Sequence, residues 1–256
     1  MQDKPTLEDT LELMRDLRRR CEWDRAQTHD SLRPYLIEEA HEVDDAIRAG
    51  NDAMLREELG DLLLQVLFHS VVAEERGAFD LHDVARGLIT KMRARHPHLY
   101  PPEGQEPGER QSWEAMKAKK RRGSIEEGLP SGLPSLHRAH RLQDRAAGVG
   151  FDWPDADGPA QKVEEELAEV RHELATGADA ARLEDEIGDL LFAVVNLARK
   201  AGVHASLALD KANAKFATRF SAIERLAAER GIDVNTAGLT VLDALWDEVK
   251  AGDAGQ

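Results

Sequence analysis

The sequence predicts an all-α protein made of two tandem helical units of the four-helix-bundle type, each completing its bundle across a homodimer. Three observations lead there. Aromatic residues make up only 5% of the chain and β-branched runs are scarce, whereas Ala, Leu, Glu and Arg abound, which favours helices over strands. Apolar residues recur at the helical period. The chain also contains its own pattern twice.

The first helical pair opens with "RPYLIEEAHEVDDAI", where Leu36, Ala40, Val43 and Ile47 repeat as a core-facing stripe over a helix of about residues 32–48. Ala49, Gly50 and Asn51 interrupt the pattern, and a second helix of about residues 53–76 follows with Leu59, Leu62, Leu63 and Val66 as its stripe. So short a connection makes the two helices antiparallel neighbours. Glu39 and Glu42 flank the first stripe, and Glu58, Asp61 and Gln65 run down the edge of the second. Gly60 lies in mid-helix, where it costs about 1 kcal/mol relative to Ala, so a close helix approach is expected there and at Gly188.

The repeat is explicit. "YLIEEAHEVDDAI" (35–47) and "QKVEEELAEVRHE" (161–173) share EE-x-x-E-V, and "LREELGDLLLQVL" (55–67) and "LEDEIGDLLFAVV" (183–195) share E-[LI]-G-D-L-L. The copies are offset by 127 residues at the first motif and 128 at the second. A Trp precedes each, in "CEWDRAQTHDSL" and "GFDWPDADGP", and Gly177 takes the turn position in the second copy. Between them "RRGSIEEGLPSGLPS" punctuates the chain. The domain reading is residues 1–122, a Gly/Pro linker over 123–134, and 135–256.

Composition bounds the function. At 256 residues, 41% hydrophobic and 32% charged, the chain has room for one large domain or two ordinary cores. Cys21 stands alone, which excludes an internal disulfide framework, and with no apolar secretion-type segment at the start a cytoplasmic protein is expected. The longest apolar run, "LLLQVLF" at 62–68, is too short to span a bilayer. A net charge of −15 argues against a nucleic-acid polymer as partner, while leaving room for phosphates held through a metal.

Paired carboxylates are the chemical signal. Glu-x-x-Glu on one helix and Glu-x-x-Asp on its neighbour bring four oxygen ligands together, a donor set that suits hard cations such as Mg²⁺ or Mn²⁺. Without a cation the like charges raise one another's pKa and strain the fold. Glu-rich helices are more often solvated faces; the duplication, the matched second motif and the Gly before each Asp favour a metal site.

Beyond the bare motif, "DRAQTHDSLRPYLIEEAHE", "KMRARHPHLYP", "LHRAHRLQDRAAGVGFDW" and "KANAKFATRF" in order resemble segments of the MazG family, all-α nucleoside triphosphate pyrophosphohydrolases, over nearly the whole chain. The resemblance implies a two-domain helical homodimer that uses Mg²⁺ to hydrolyse nucleoside triphosphates, deoxy forms included, to the monophosphate and pyrophosphate. It further implies Glu166, Glu169, Glu186 and Asp189 as metal ligands, with Glu39, Glu42, Glu58 and Asp61 as their first-unit counterparts. Glu165, with Glu38 as its counterpart, would position the attacking water. Lys162, Arg182, Lys215 and Arg219 would meet the phosphates, Lys162 also acting in catalysis, and Trp246 would lie near base or sugar. "CEWDR" departs from the family's usual Pro before the Trp, which touches the approach to the first helix and leaves the metal residues unaffected.

The units are not expected to be equal catalysts. Lys211, Lys215 and Arg219 recur at i, i+4 and i+8 in the second, a basic stripe along one helix, while Lys91, Arg93 and Arg95 point to different faces before Pro97 ends theirs. The second unit is therefore expected to be the main catalytic one. His29 is expected to cap or pack near a helix start, "HPH" at 96–98 to stop a helix, Cys21 to pack near Trp23, and Trp153 to sit in a core or stack on a base. Two readings of other classes stay open: a nucleotide-binding regulator without turnover, and a structural helical assembly whose acidic edges hold Mg²⁺ nonspecifically.

Overall fold

The computed structural model describes residues 4–253 except 105, 108–115, 117–122 and 178. Among the described residues there are ten helices and no strand, the all-α class that the composition predicts. None of these helices is long and apolar enough to cross a membrane. The chain divides into two compact units, residues 1–110 and 111–256. The first-domain end expected at residue 122 lies outside the described residues.

The first unit runs α1 (Leu7–Arg20), α2 (Glu22–Ala26), α3 (His29–Ala49), α4 (Asp52–Glu75) and α5 (Leu81–Arg95). Its helix starts are written in the sequence: Thr6 with Asp9 and Thr28 with Ser31 close reciprocal caps on α1 and α3, and Asp80 with Asp83 does so on α5. Gly50 adopts a left-handed conformation (φ 61°) to end α3, and the Asn51 side chain accepts from the backbone N–H groups of Ala53 and Met54 to start α4. The resulting α3–α4 hairpin carries the first pair of acidic motifs. Across one end of it lies α1, whose Leu11 and Met14 are buried with Leu32, Leu67, Phe68, Val71 and Val72. Buried Arg18 of α1 joins Glu75 to the carbonyls of Asp24 and Gln27. His29 opens α3 and stacks on His69 with Nδ1 atoms 2.8 Å apart, and His96 ends α5. Cys21 serves as the junction between α1 and α2, and Trp23 meets Tyr35 and Phe68 edge-on.

The second unit repeats the plan with α6 (Ser135–Ala147), α7 (Asp157–Thr176), α8 (Ala180–Lys200) and α9 (Ala205–Glu229), and adds α10 (Gly238–Asp253). Gly177 (φ 67°) ends α7 and Asp179 caps α8, accepting from Arg182 N–H. α6 lies against α8 and α9, and α10 packs on α9 around Ile223, Ala227 and Leu245. The Gly/Pro/Ser segment expected as a linker is tied to this unit: the buried Arg145 guanidinium of α6 donates to the carbonyls of Ile125 (2.7 Å) and Glu127 (2.8 Å).

Two expectations from periodicity require correction. The first-unit stripes face a core within the unit only in part: Leu63 packs against it and Val43 and Leu62 are half-buried, whereas Ile47 is 58% exposed, and Leu36, Leu59 and Val66 are exposed with it. The cause is coverage. α1 shields the hairpin at the end formed by Leu32, Leu63 and residues 67–72, and among the described residues of the unit the other apolar side stays exposed. Nor do Gly60 and Gly188 mediate close helix contact, since a Cβ placed on either would meet no atom within 4 Å.

Candidate metal centre

In the second unit α7 and α8 pack side by side and turn their acidic edges toward each other. Carboxylate oxygens of Glu166, Glu186 and Asp189 all lie within 4.8 Å of one another. Glu166 is the anchor: it is only 4% exposed, its Oε1 lies 2.6 Å from Lys162 Nζ, and its buried Oε2 has no hydrogen-bond partner. Glu169, one turn on and expected as the fourth ligand, is not one of the three converging carboxylates but interacts with Glu166 and Glu186. Hydrogen bonding to Glu166 pushes its carboxyl above the ordinary glutamate value, with burial and the charges of Glu166 and Glu186 acting in the same direction.

Such an arrangement suits a hard divalent cation. All its donors are oxygens, they come from two facing helices, and a buried carboxylate oxygen without a donor is expensive unless a positive partner meets it. Lys162 supplies part of that charge. Its ammonium is shared between Glu165 Oε1 (2.8 Å) and Glu166, and both hydrogen bonds push its pKa upward.

The first unit repeats the cluster with Glu39, Glu58 and Asp61, again with carboxylate oxygens within 4.8 Å. Burial raises the Glu39 carboxyl, and the charges of Asp61 and Glu42 add to it; Glu58 is raised by burial and by Glu42. Glu38 is exposed. Buried Gln65 reaches Glu39 at 3.4 Å.

Beside the second cluster opens a cavity of about 780 Å³, whose lining includes Lys162, Glu166 and Asp189. Phe151, Trp153 and Phe192 line it as well. Loop residue Asp152 is clamped to α8 by hydrogen bonds from Arg199 and Lys200, which hold its carboxyl below the usual range. Arg199 also donates to Asn196 Oδ1 through Nε (3.2 Å) and Nη2 (2.8 Å), so one guanidinium fixes both the loop and the cavity wall. Trp153 is thus a wall residue rather than a core one, and Gly158 at the start of α7 makes room for it: a Cβ there would overlap the indole.

Other residues proposed from sequence fall elsewhere. Arg182 pairs with buried Glu173 (2.7 Å). Arg219 sits over the Trp246 ring (5.8 Å), which also packs on Phe216 in the α9–α10 cluster; neither they nor exposed Lys215 are among the cavity's lining residues. Gln143, Asn196 and Arg199 line the cavity yet form no motif, because Gln143 comes from α6 and the other two from α8. Comparing the two copies position by position was the signal that could have found two of them.

The MazG nucleotide pyrophosphohydrolase domain model matches residues 27–100 and 159–222, the stretches that hold the two clusters. The nucleoside triphosphate pyrophosphohydrolase/pyrophosphatase MazG of Thermotoga maritima is 45% identical over 253 residues, 96% of each chain. The chain belongs to the MazG family. The nucleoside triphosphate pyrophosphohydrolase of Escherichia coli K12 is 41% identical over 247 residues, 94% of each chain, and the Bacillus subtilis protein YabN, uncharacterized, is 40% identical over 235 residues, 90% of this chain and 48% of its own.

Within this MazG chain the two family segments diverge beside their clusters. At the 128-residue offset Phe68, Val71 and Val72 of α4 correspond to Asn196, Arg199 and Lys200 of α8. The first set is apolar core, with Phe68 3% exposed; the second set holds the loop and lines the cavity. At the 127-residue offset the counterpart of Lys162 is Tyr35.

Proposed function

We propose that the chain hydrolyses nucleoside triphosphates, deoxy forms included, to the nucleoside monophosphate and pyrophosphate by water attack at the α-phosphate, chiefly in its second unit. The observation that carries this is buried Glu166, whose Oε2 has no partner and whose carboxylate converges with those of Glu186 and Asp189 beside a cavity of about 780 Å³. The names of the Thermotoga and Escherichia relatives support the same reaction.

Glu166, Glu169, Glu186 and Asp189 hold Mg²⁺, with Mn²⁺ as a substitute. When bound there, the cation would supply Lewis-acid charge for the phosphate oxygens and for water activation. Glu165, exposed beside the cluster, orients the attacking water, while Lys162 brings its ammonium to the phosphate charge. Lys215 and Arg219, one turn apart on α9, meet the departing pyrophosphate, and Trp246 under Arg219 lies against the sugar. Arg182 orders buried Glu173 at the far end of α7 instead of contacting phosphate. No covalent nucleophile is needed.

Glu39, Glu42, Glu58 and Asp61 form a second cation site, supported by Glu38, whose surroundings are poorer in phosphate donors. The protein works as a cytoplasmic homodimer, a reading supported by exposed apolar side chains on the hairpin helices, among them Leu174, Ile187 and Leu191.

Product chromatography after incubation with each nucleoside triphosphate and Mg²⁺ tests the reaction. Monophosphate and pyrophosphate are expected from wild type and Glu39→Gln, and none from Glu166→Gln. Release of orthophosphate, or binding without cleavage, overturns the assignment and favours a nucleotide-binding regulator.

A further inference from the structure

The cavity beside the carboxylate cluster carries a feature the hydrolytic chemistry does not use. Gln143 of α6 is only 6% exposed, and its Nε2 donates to the Phe192 carbonyl at 2.9 Å. A carbonyl can only accept, so this contact fixes which way the amide points. Its Oε1 is left buried without a partner, on a side chain that lines the cavity. Asn196 is fixed in the opposite sense. A guanidinium can only donate, so Arg199 takes Asn196 Oδ1 and the amide NH₂ becomes the end Asn196 has to offer.

One oriented acceptor and one oriented donor therefore stand in a cavity walled by Phe151, Trp153 and Phe192. Its volume of about 780 Å³ falls within the ordinary range for small-molecule sites. Flat aromatic surfaces with one donor and one acceptor match an unstacked nucleobase, read by stacking and by hydrogen bonds along its Watson–Crick edge. A simple anion would bring no N–H to the buried oxygen, and a hydrocarbon would leave it unpaired.

We propose that this cavity receives the nucleobase of the substrate and that Gln143 Oε1 is its specificity-determining acceptor, taking a hydrogen bond from a base N–H. The inference rests on the triphosphate hydrolysis proposed above. Asn196 Nδ2 donates to the neighbouring ring nitrogen or carbonyl, and Arg199 acts as a positioning residue for both Asn196 and the loop that carries Phe151 and Trp153. Bases whose edge cannot donate an N–H are rejected because the buried oxygen then stays unsatisfied.

The test measures kcat/KM with Mg²⁺ for the four common nucleoside triphosphates and for ribose 5-triphosphate, which has no base, in wild type and Gln143→Met. Met keeps the volume and removes the acceptor. Wild type is expected to prefer nucleotides to ribose triphosphate, and the substitution to shrink that preference by about tenfold or more. An unchanged preference, or an equal fall on all five substrates, overturns the proposal. Should the variant not fold, wild type decides alone: adenosine triphosphate must outrun its 6-deamino analogue, which lacks the only N–H of the base, and equal kcat/KM overturns the assignment. If wild type cleaves no substrate at all, it is the hydrolytic reading that fails. Calorimetric titration of the same ligands then gives the preference, and equal affinity for nucleotides and ribose triphosphate rejects the base pocket.

Discussion

Lys162 Nζ lies 2.6 Å from Glu166 Oε1, a short ion pair across one helical turn between an accessible ammonium and a buried carboxylate. The first unit has Tyr35 at the corresponding position and so no such partner for Glu39. In the metal-free protein, therefore, Lys162 is the cation that makes a buried Glu166 tolerable.

Replacing it should expose that dependence. Lys162→Gln is expected to lower the melting temperature of metal-free protein by a few degrees and to enlarge the further rise produced by saturating Mg²⁺. Turnover should fall on the order of 100-fold, the scale for removing one well-placed charge donor. Differential scanning calorimetry with and without Mg²⁺ reads the first two quantities. A Mg²⁺-dependent rise equal to that of wild type would show that Lys162 and the cation do not serve the same carboxylate.

Gly158 illustrates how a local rule is reversed by packing. Alanine is ordinarily the better helix residue, worth up to about 1 kcal/mol over glycine. Here the added methyl would drive into the Trp153 indole. Overpacking of that kind costs about 1–3 kcal/mol, so Gly158→Ala is expected to destabilise the protein by about 1 kcal/mol net and to move the Trp153 ring off the cavity wall. Denaturant titration gives the first number. The second appears as a red shift in emission relative to wild type, removed when Trp153 is itself replaced.

The acidic motifs were legible in the sequence because each is a local i, i+3 pattern on one helix, and two copies made chance a poor account of it. Helix ends were legible for the same reason, as with Gly50 and Gly177. The cavity was not. Gln143, Trp153 and Asn196 meet only after α6, the loop and α8 have packed, and nothing in their spacing announces it. Core-facing stripes were misjudged at Ile47 and Leu59, since periodicity identifies an apolar face without saying what covers it.

Proton uptake by the clusters has a definite sign. Glu169, Glu39 and Glu58 are all raised above the ordinary value of 4.5 in the folded chain, so each favours folding when protonated. That contribution is fully present below 4.5 and is lost as pH rises through the raised values. Binding a cation requires the same groups to be charged and so releases protons. Between about pH 5 and pH 8 the stabilisation produced by Mg²⁺ should therefore grow with pH, and Glu169→Gln should flatten the growth. Melting curves across this range, with the variant as control for carboxylates of opposite sign such as Glu75 and Asp152, provide the check. A Mg²⁺ effect independent of pH would contradict it.

The divergence of the two units can be tested by exchange. Asn196 occupies in α8 the position that Phe68 occupies in α4, and Phe68 is packed among Leu11, Met14, Leu32 and Val71. Asn196→Phe places a ring where the second unit has its cavity wall and removes the acceptor that Arg199 holds. Nucleotide turnover is expected to fall at least 100-fold, the scale on which misplaced substrate loses rate, while Mg²⁺ binding by the carboxylates persists. The reverse exchange, Phe68→Asn, removes a buried ring from the first core and leaves a polar group in its place, which costs about 3–5 kcal/mol. It should lower the stability of the first unit without reproducing catalysis there, because Tyr35 still stands where Lys162 would be required. Calorimetric Mg²⁺ titration, turnover and denaturant unfolding of both variants separate these outcomes. Loss of Mg²⁺ binding in Asn196→Phe would mean that the ring disturbs the α7–α8 pair itself, and the cavity would then have no role separable from the metal centre.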